Sequence, residues 1–199
     1  MGPLDEMKKT EGRGRMDILS IPCDYDGYDM VFEEGTTDPQ VYIRINELVT
    51  NGNFDIRSID EYERLCDSLG EEDFDEFYDM WIESLLEKGF AAILNNEVGI
   101  VEFLDEVDRI LYSIGSGKKI DPEAISKKYY EELQNYSFKG APIIGNFNYE
   151  VLETNVAAEA LREIGYELIC FFNGFDNDIK ALIPIEKIDE LKQLEASIK

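Results

Sequence analysis

Apolar positions change period several times along this chain, and each change marks an element. Leu168, Ile169, Cys170, Phe171 and Phe172 form an unbroken apolar run, too short for a stable helix, between Gly165 and Gly174. Such a run predicts a strand covered on both faces. Beyond the polar turn NGFDND, the segment Ile179, Lys180, Ala181, Leu182, Ile183 is again mostly apolar, and Pro184 stops it. A β-hairpin is therefore expected at the centre of a small sheet. Phe90 to Leu94, a brief apolar run behind Gly89, supplies a further strand.

Elsewhere the spacing is helical. Asp38 can cap and Pro39 suits a first helical position, ahead of Val41, Ile45, Leu48 and Val49, with Gly52 as the stop. Ser58 and Glu61 have capping-box spacing before Tyr62, Leu65, Cys66 and Leu69. In EEDFDEFYDMWIESLLEKG, Phe74, Phe77, Tyr78, Trp81 and Leu85 form one stripe, while Asp73, Asp75, Glu76, Asp79, Glu83 and Glu87 fall elsewhere. Val98 to Ile114 is so rich in apolar side chains that the most buried helix is expected there. Asp121 and Pro122 open another helix through Tyr129, Tyr130 and Leu133, the only one with a local basic pair, Lys127 and Lys128. A helix from about Tyr149 to Ile164 directs Leu152, Val156, Ala160, Leu161 and Ile164 inward, and Ile188, Leu191, Leu194 and Ile198 mark a last amphipathic helix.

These elements predict an α+β domain: a small, mostly antiparallel sheet with a C-terminal β-hairpin, packed by about five to seven helices. Residues 1–15 are polar, with Lys8, Lys9, Arg13 and Arg15, and read as a disordered lead or start-site extension. Residues 16–199 read as a single acidic domain, long enough to build a core without disulfides. The stretch MDILSIPCDYDGYDMVFEEG, broken by Pro22 and Gly27, suggests a loop or an edge strand.

Charge narrows the function classes. Lysine and arginine total 19 against 44 acids, a formal net charge of −25 with no histidine. That balance opposes direct binding to nucleic-acid phosphates or anionic membranes, and it admits a basic protein partner, a nucleic-acid mimic or a solvated surface adapted to salt. Cys23, Cys66 and Cys170 are an odd set without metal-type spacing, and no apolar run is long enough for a membrane span. A soluble cytoplasmic protein without cofactor or metal is expected.

Candidate chemistry is sparse. GSGKK at residues 115–119 lacks the first glycine and the final serine or threonine of a phosphate-binding loop. It reads as a linker. DYDGYD at residues 24–29 departs from a calcium loop at its fifth, sixth and twelfth positions, where Tyr28, Asp29 and Gly35 stand. A solvated acidic loop accounts for it. The turn bearing Asn173, Asp176 and Asp178 sets two carboxylates at the end of apolar strands and is the candidate loop for a carboxylate enzyme or small-ligand site. Yet Asn, Gly and Asp are also what a hairpin turn requires. Without histidine, any base must be a carboxylate, lysine, tyrosine or cysteine, and no pair has a recognisable spacing.

The C-terminal third, AAEALREIGYELICFFNGFDNDIKALIPIEKIDEL, resembles small uncharacterised bacterial domains, some of them immunity-protein-like, in which a helix, a strand hairpin and a closing helix recur. The resemblance spans residues 148–198 and implies a stand-alone cytoplasmic protein without known catalytic residues. The leading expectation is a non-enzymatic binding protein, immunity- or antitoxin-like, whose acidic face, with Asp73, Asp75, Glu76 and Asp79, docks a basic partner.

Overall fold

A computed structural model describes residues 28–30, 39–59, 62, 71–94, 99–137, 149–171 and 179–197. Helix α1 is Pro39–Thr50, beginning on the proline whose fixed φ suits a first turn. Its inward stripe is Val41, Tyr42, Ile45, Leu48 and Val49. The helix ends where Asn51 and Gly52 both take positive φ, 52° and 72°, and the Gly52 N–H bonds Glu47 O at 3.0 Å. Helix α2, Glu71–Glu87, ends at Gly89 (φ 78°), which turns the chain directly into strand β2, Ala91–Ile93. Helix α3 is Ile100–Ser113. Helix α4, Pro122–Ser137, is capped by the Asp121 carboxylate, which accepts the Ala124 N–H at 3.1 Å. Helix α5, Tyr149–Glu163, leads through Gly165 into β3, Tyr166–Phe171. β4 is Ile179–Pro184, and a single 3-10 turn, Ile185–Lys187, leads into α6, Ile188–Ser197.

The sheet has four strands in the order β1-β3-β4-β2, where β1 is Tyr28–Met30. β3 and β4 pair antiparallel from Tyr166↔Pro184 to Phe171↔Ile179. β2 joins β4 antiparallel, Ala91 opposite Ala181, and β1 lies parallel to β3, Tyr28 opposite Ile169. The α+β class, the central hairpin and the mostly antiparallel sheet follow the sequence expectation, and the stretch around Tyr28 resolves to an edge strand. The helix expected around Tyr62 to Leu69 lies outside the described residues apart from Tyr62 itself, which is helical.

The core runs between the sheet and the helices, with Trp81, Tyr42, Phe77, Phe103, Ile45 and Leu104 almost fully enclosed. All of β4 from Ile179 to Ile183 is buried, including Lys180 at 3% exposure. Its ammonium donates to Leu94 O at 3.2 Å, serving a carbonyl just past the end of β2. Helix α3 departs from expectation. It buries Ile100, Phe103, Leu104, Val107, Ile110 and Leu111, yet leaves Val101 55% and Tyr112 87% exposed. Apolar side chains at both positions extend the apolar arc without turning the helix, and α3 keeps a solvent face beside Glu102 and Asp105.

Candidate functional site

Helix α2 is oriented by its aromatic side. Phe77, Tyr78, Trp81, Ile82 and Leu85 are all buried. The Trp81 indole N–H donates to Asn46 Oδ1 at 3.0 Å, and Asn46 Nδ2 in turn donates to Phe54 O at 2.7 Å. Tyr42 of α1 meets Phe77 and Trp81 edge-on, with ring centroids 6.2 Å apart in each pair, a geometry that rings favour. These contacts leave α2 no freedom to rotate about its axis.

The opposite side of α2 carries Asp79, Glu83 and Glu87, each exposed and four residues from the next. Successive carboxylates therefore stand about 6 Å apart along the axis, in one row. None of the three is ion-paired to a described residue. The helix has no basic residue in its last turn, where the macrodipole is negative and cations would be favoured. Lys88, the next residue, places its ammonium 5.1 Å from the Phe54 ring centroid instead. Arg109 of α3 reaches the end of α2 but donates to Leu86 O at 3.4 Å and Ala91 O at 3.2 Å, and its ion pair is with Glu106. The row thus carries repulsion and an unfavourable dipole position that nothing described relieves.

Of the residues singled out in the sequence, Asp79 is exposed in this row. Asp73, Asp75 and Glu76 belong to α2, but their side chains lie outside the described residues. The loop candidates Asn173, Asp176 and Asp178 also lie outside them. Glu83 and Glu87, grouped with the other acids of this helix in the sequence but not named there among the docking residues, are exposed in line with Asp79.

A second feature is a groove of about 470 Å³ between the end of α1, the segment 52–57 and the start of the 3-10 turn after β4. Arg57 pairs with Asp55 through two hydrogen bonds, Nε to Oδ1 at 2.7 Å and Nη2 to Oδ2 at 2.9 Å. Arg44 lies between Glu47 at 2.7 Å and Glu190 at 2.5 Å, and Lys187 stands 3.7 Å from Glu190. The side-chain hydrogen bonds from Arg57 and Arg44 hold the Asp55 and Glu190 carboxyls below their ordinary values. The groove is lined by three cations, Arg44, Arg57 and Lys187, and two carboxylates, Glu47 and Asp55, in a chain of net charge −25.

Among the described residues, no group of three acids or cysteines converges in a way that could hold a metal ion. The α2 carboxylates form a row, not a cage. No helix of the described residues is long and apolar enough to cross a membrane. Comparison of the chain with protein-family models, curated proteins and solved structures finds no match.

Proposed function

We propose that this chain is a cytoplasmic, non-enzymatic binding protein whose acidic face docks a basic protein partner, in the manner of an immunity protein or antitoxin. The face comprises Asp73, Asp75, Glu76 and Asp79 and continues through Glu83 and Glu87. The observation that carries the proposal is the row Asp79, Glu83, Glu87, exposed, unpaired among the described residues and rigidly presented by the buried Trp81 side of the same helix. Carboxylates so placed weaken the free helix by a few tenths of a kcal/mol per like-charge pair. A partner's lysines or arginines would relieve that cost. The net charge of −25 would steer the encounter, so association should be fast and strongly salt-dependent.

A nucleic-acid mimic is less well supported. The aligned carboxylates among the described residues form one row of three on α2, where a duplex presents two strands of phosphates. A small-ligand reading gains one observation, the groove lined by Arg44, Arg57 and Lys187 beside Glu47 and Asp55.

The test is capture from the native host by cross-linking at low and moderate salt, with wild type beside two neutralised variants. One is Asp79→Asn/Glu83→Gln/Glu87→Gln and the other Asp73→Asn/Asp75→Asn/Glu76→Gln. A basic protein retained by wild type and lost from the variants supports the proposal. Equal capture by all three, or capture of no basic protein, refutes it.

A further inference from the structure

Glu153 lies on α5 where that helix packs against α3 and α4, and it is 5% exposed. Its carboxylate is hydrogen-bonded by the phenol of Tyr129, a buried residue of α4. The charged group facing it from α3 is Glu102, a like charge. Lys128, beside Tyr129 in sequence, is ion-paired with Glu159 at the exposed side of the α4–α5 contact. From β3, which also packs on α5, no titratable group acts on Glu153. The next residue, Thr154, is buried at 2% exposure, and its Oγ1 has no hydrogen-bond partner among the described residues. Two polar side chains are therefore enclosed at consecutive positions of one helix, and the acid has a phenol for a partner where a buried charge calls for a cation.

We propose that the junction of α3, α4 and α5 is a proton-binding site centred on Glu153, which holds a proton while the junction is closed and releases it when the junction opens. In the closed form the neutral carboxyl can both donate to and accept from its surroundings, so the Tyr129 hydroxyl stays satisfied without an enclosed charge. On opening, the carboxyl meets water, ionises, and passes its proton to solvent. Burial is the main cause that raises the Glu153 pKa, to about 7. The Tyr129 hydrogen bond opposes the rise and Glu102 adds to it. Because the closed form binds the proton more tightly, closure is most favoured below the ordinary carboxyl range, and the advantage is lost as pH rises through about 7. Opening of these helices thus becomes linked to pH around 7.

Two readouts on the whole chain test the proposal. In a titration followed by carbon NMR of the glutamate carboxyls, one resonance should move with a midpoint near 7 and disappear from the spectrum of Glu153→Gln. Tyr129→Phe should move that midpoint further up, because it removes the bond that favours the ionised form. In hydrogen exchange, the opening constant of α4 and α5 amides should rise about tenfold from pH 6 to pH 8 in wild type, and this rise should vanish in Glu153→Gln. A Glu153 midpoint below 5, or an opening constant with the same pH dependence in both proteins, overturns the proposal. Should the glutamine variant fail to fold, the wild-type midpoint and its shift in Tyr129→Phe decide alone.

Discussion

The indole of Trp81 and the side chain of Asn46 are joined by a buried hydrogen bond of 3.0 Å that ties α2 to α1. Asn46 also serves Phe54 O, so one amide fixes the angle at which α2 presents its outer face. Asn46→Ala would leave the indole N–H and that carbonyl without their partner. The expected cost is about 2 to 4 kcal/mol, from two buried polar groups at 1 to 3 kcal/mol each with partial rescue by water. Denaturant unfolding followed by fluorescence of Trp81, the chain's single tryptophan, reads both the cost and the change around the indole. A shift below about 1 kcal/mol would show that the aromatic packing alone holds the helix.

Gly89 is the second constraint on α2. Its φ is +78°, and an added Cβ would stand 2.9 Å from both Arg109 Nη1 and Ser113 Oγ. Gly89→Ala should destabilise by about 1 to 3 kcal/mol through strained backbone and displacement of the arginine that serves Leu86 O and Ala91 O. Thermal unfolding measures it. An unchanged midpoint would mean that the turn relaxes freely.

Much of this arrangement was legible in the sequence, for a physical reason: it is set locally. Pro39, Pro122, Gly89 and Gly165 act on their own φ and ψ, and they bound helices where expected. The runs ending at Phe171 and Pro184 are strands because they are apolar and short. What escaped depends on tertiary contact. The parallel pairing of Tyr28–Met30 with β3 joins segments far apart in the chain and leaves no local pattern. The outward placement of Val101 and Tyr112 follows from how α3 is rotated, which counting apolar residues does not determine. On α5, Leu152 and Ala160 prove half-buried, as does Ile164 just past its end, while Glu153 and Thr154 are enclosed. Among 44 acids nothing local distinguishes Glu153. At the candidate site, helical spacing alone places Asp79, Glu83 and Glu87 in a row, whereas their lack of counter-ions could come only from the fold.

Stability should depend on pH through Glu153. Its pKa is raised by burial to about 7, so the folded state holds the proton more tightly than the unfolded chain does. The stability present below the ordinary carboxyl range is therefore lost as pH rises through about 7. Glu153→Gln keeps the shape and a hydrogen-bonding side chain without the charge, and should be more stable than wild type by about 1 to 3 kcal/mol at pH 8 and by less at pH 5. Unfolding free energies of both proteins across pH 5 to 8 check the difference, which cancels the general effect of the acidic surface. Parallel curves would remove Glu153 as the cause.

Neutralising the outer row of α2 should leave the fold intact. Asp79→Asn/Glu83→Gln/Glu87→Gln removes two like-charge i,i+4 contacts and an unfavourable dipole position, so stability should be unchanged or rise by about 0.5 to 1 kcal/mol. The gain should shrink in high salt. A loss above about 1 kcal/mol in denaturant unfolding would assign these acids a structural role.

The most direct test of acidic-face docking is the association rate constant of wild type and of this triple variant with the basic host protein that wild type captures, measured over a range of ionic strength. Docking through the face predicts a rate for the variant several-fold lower at low salt, with a shallower dependence on ionic strength and a smaller change in dissociation. Identical rates and identical salt dependence for the two proteins would contradict it.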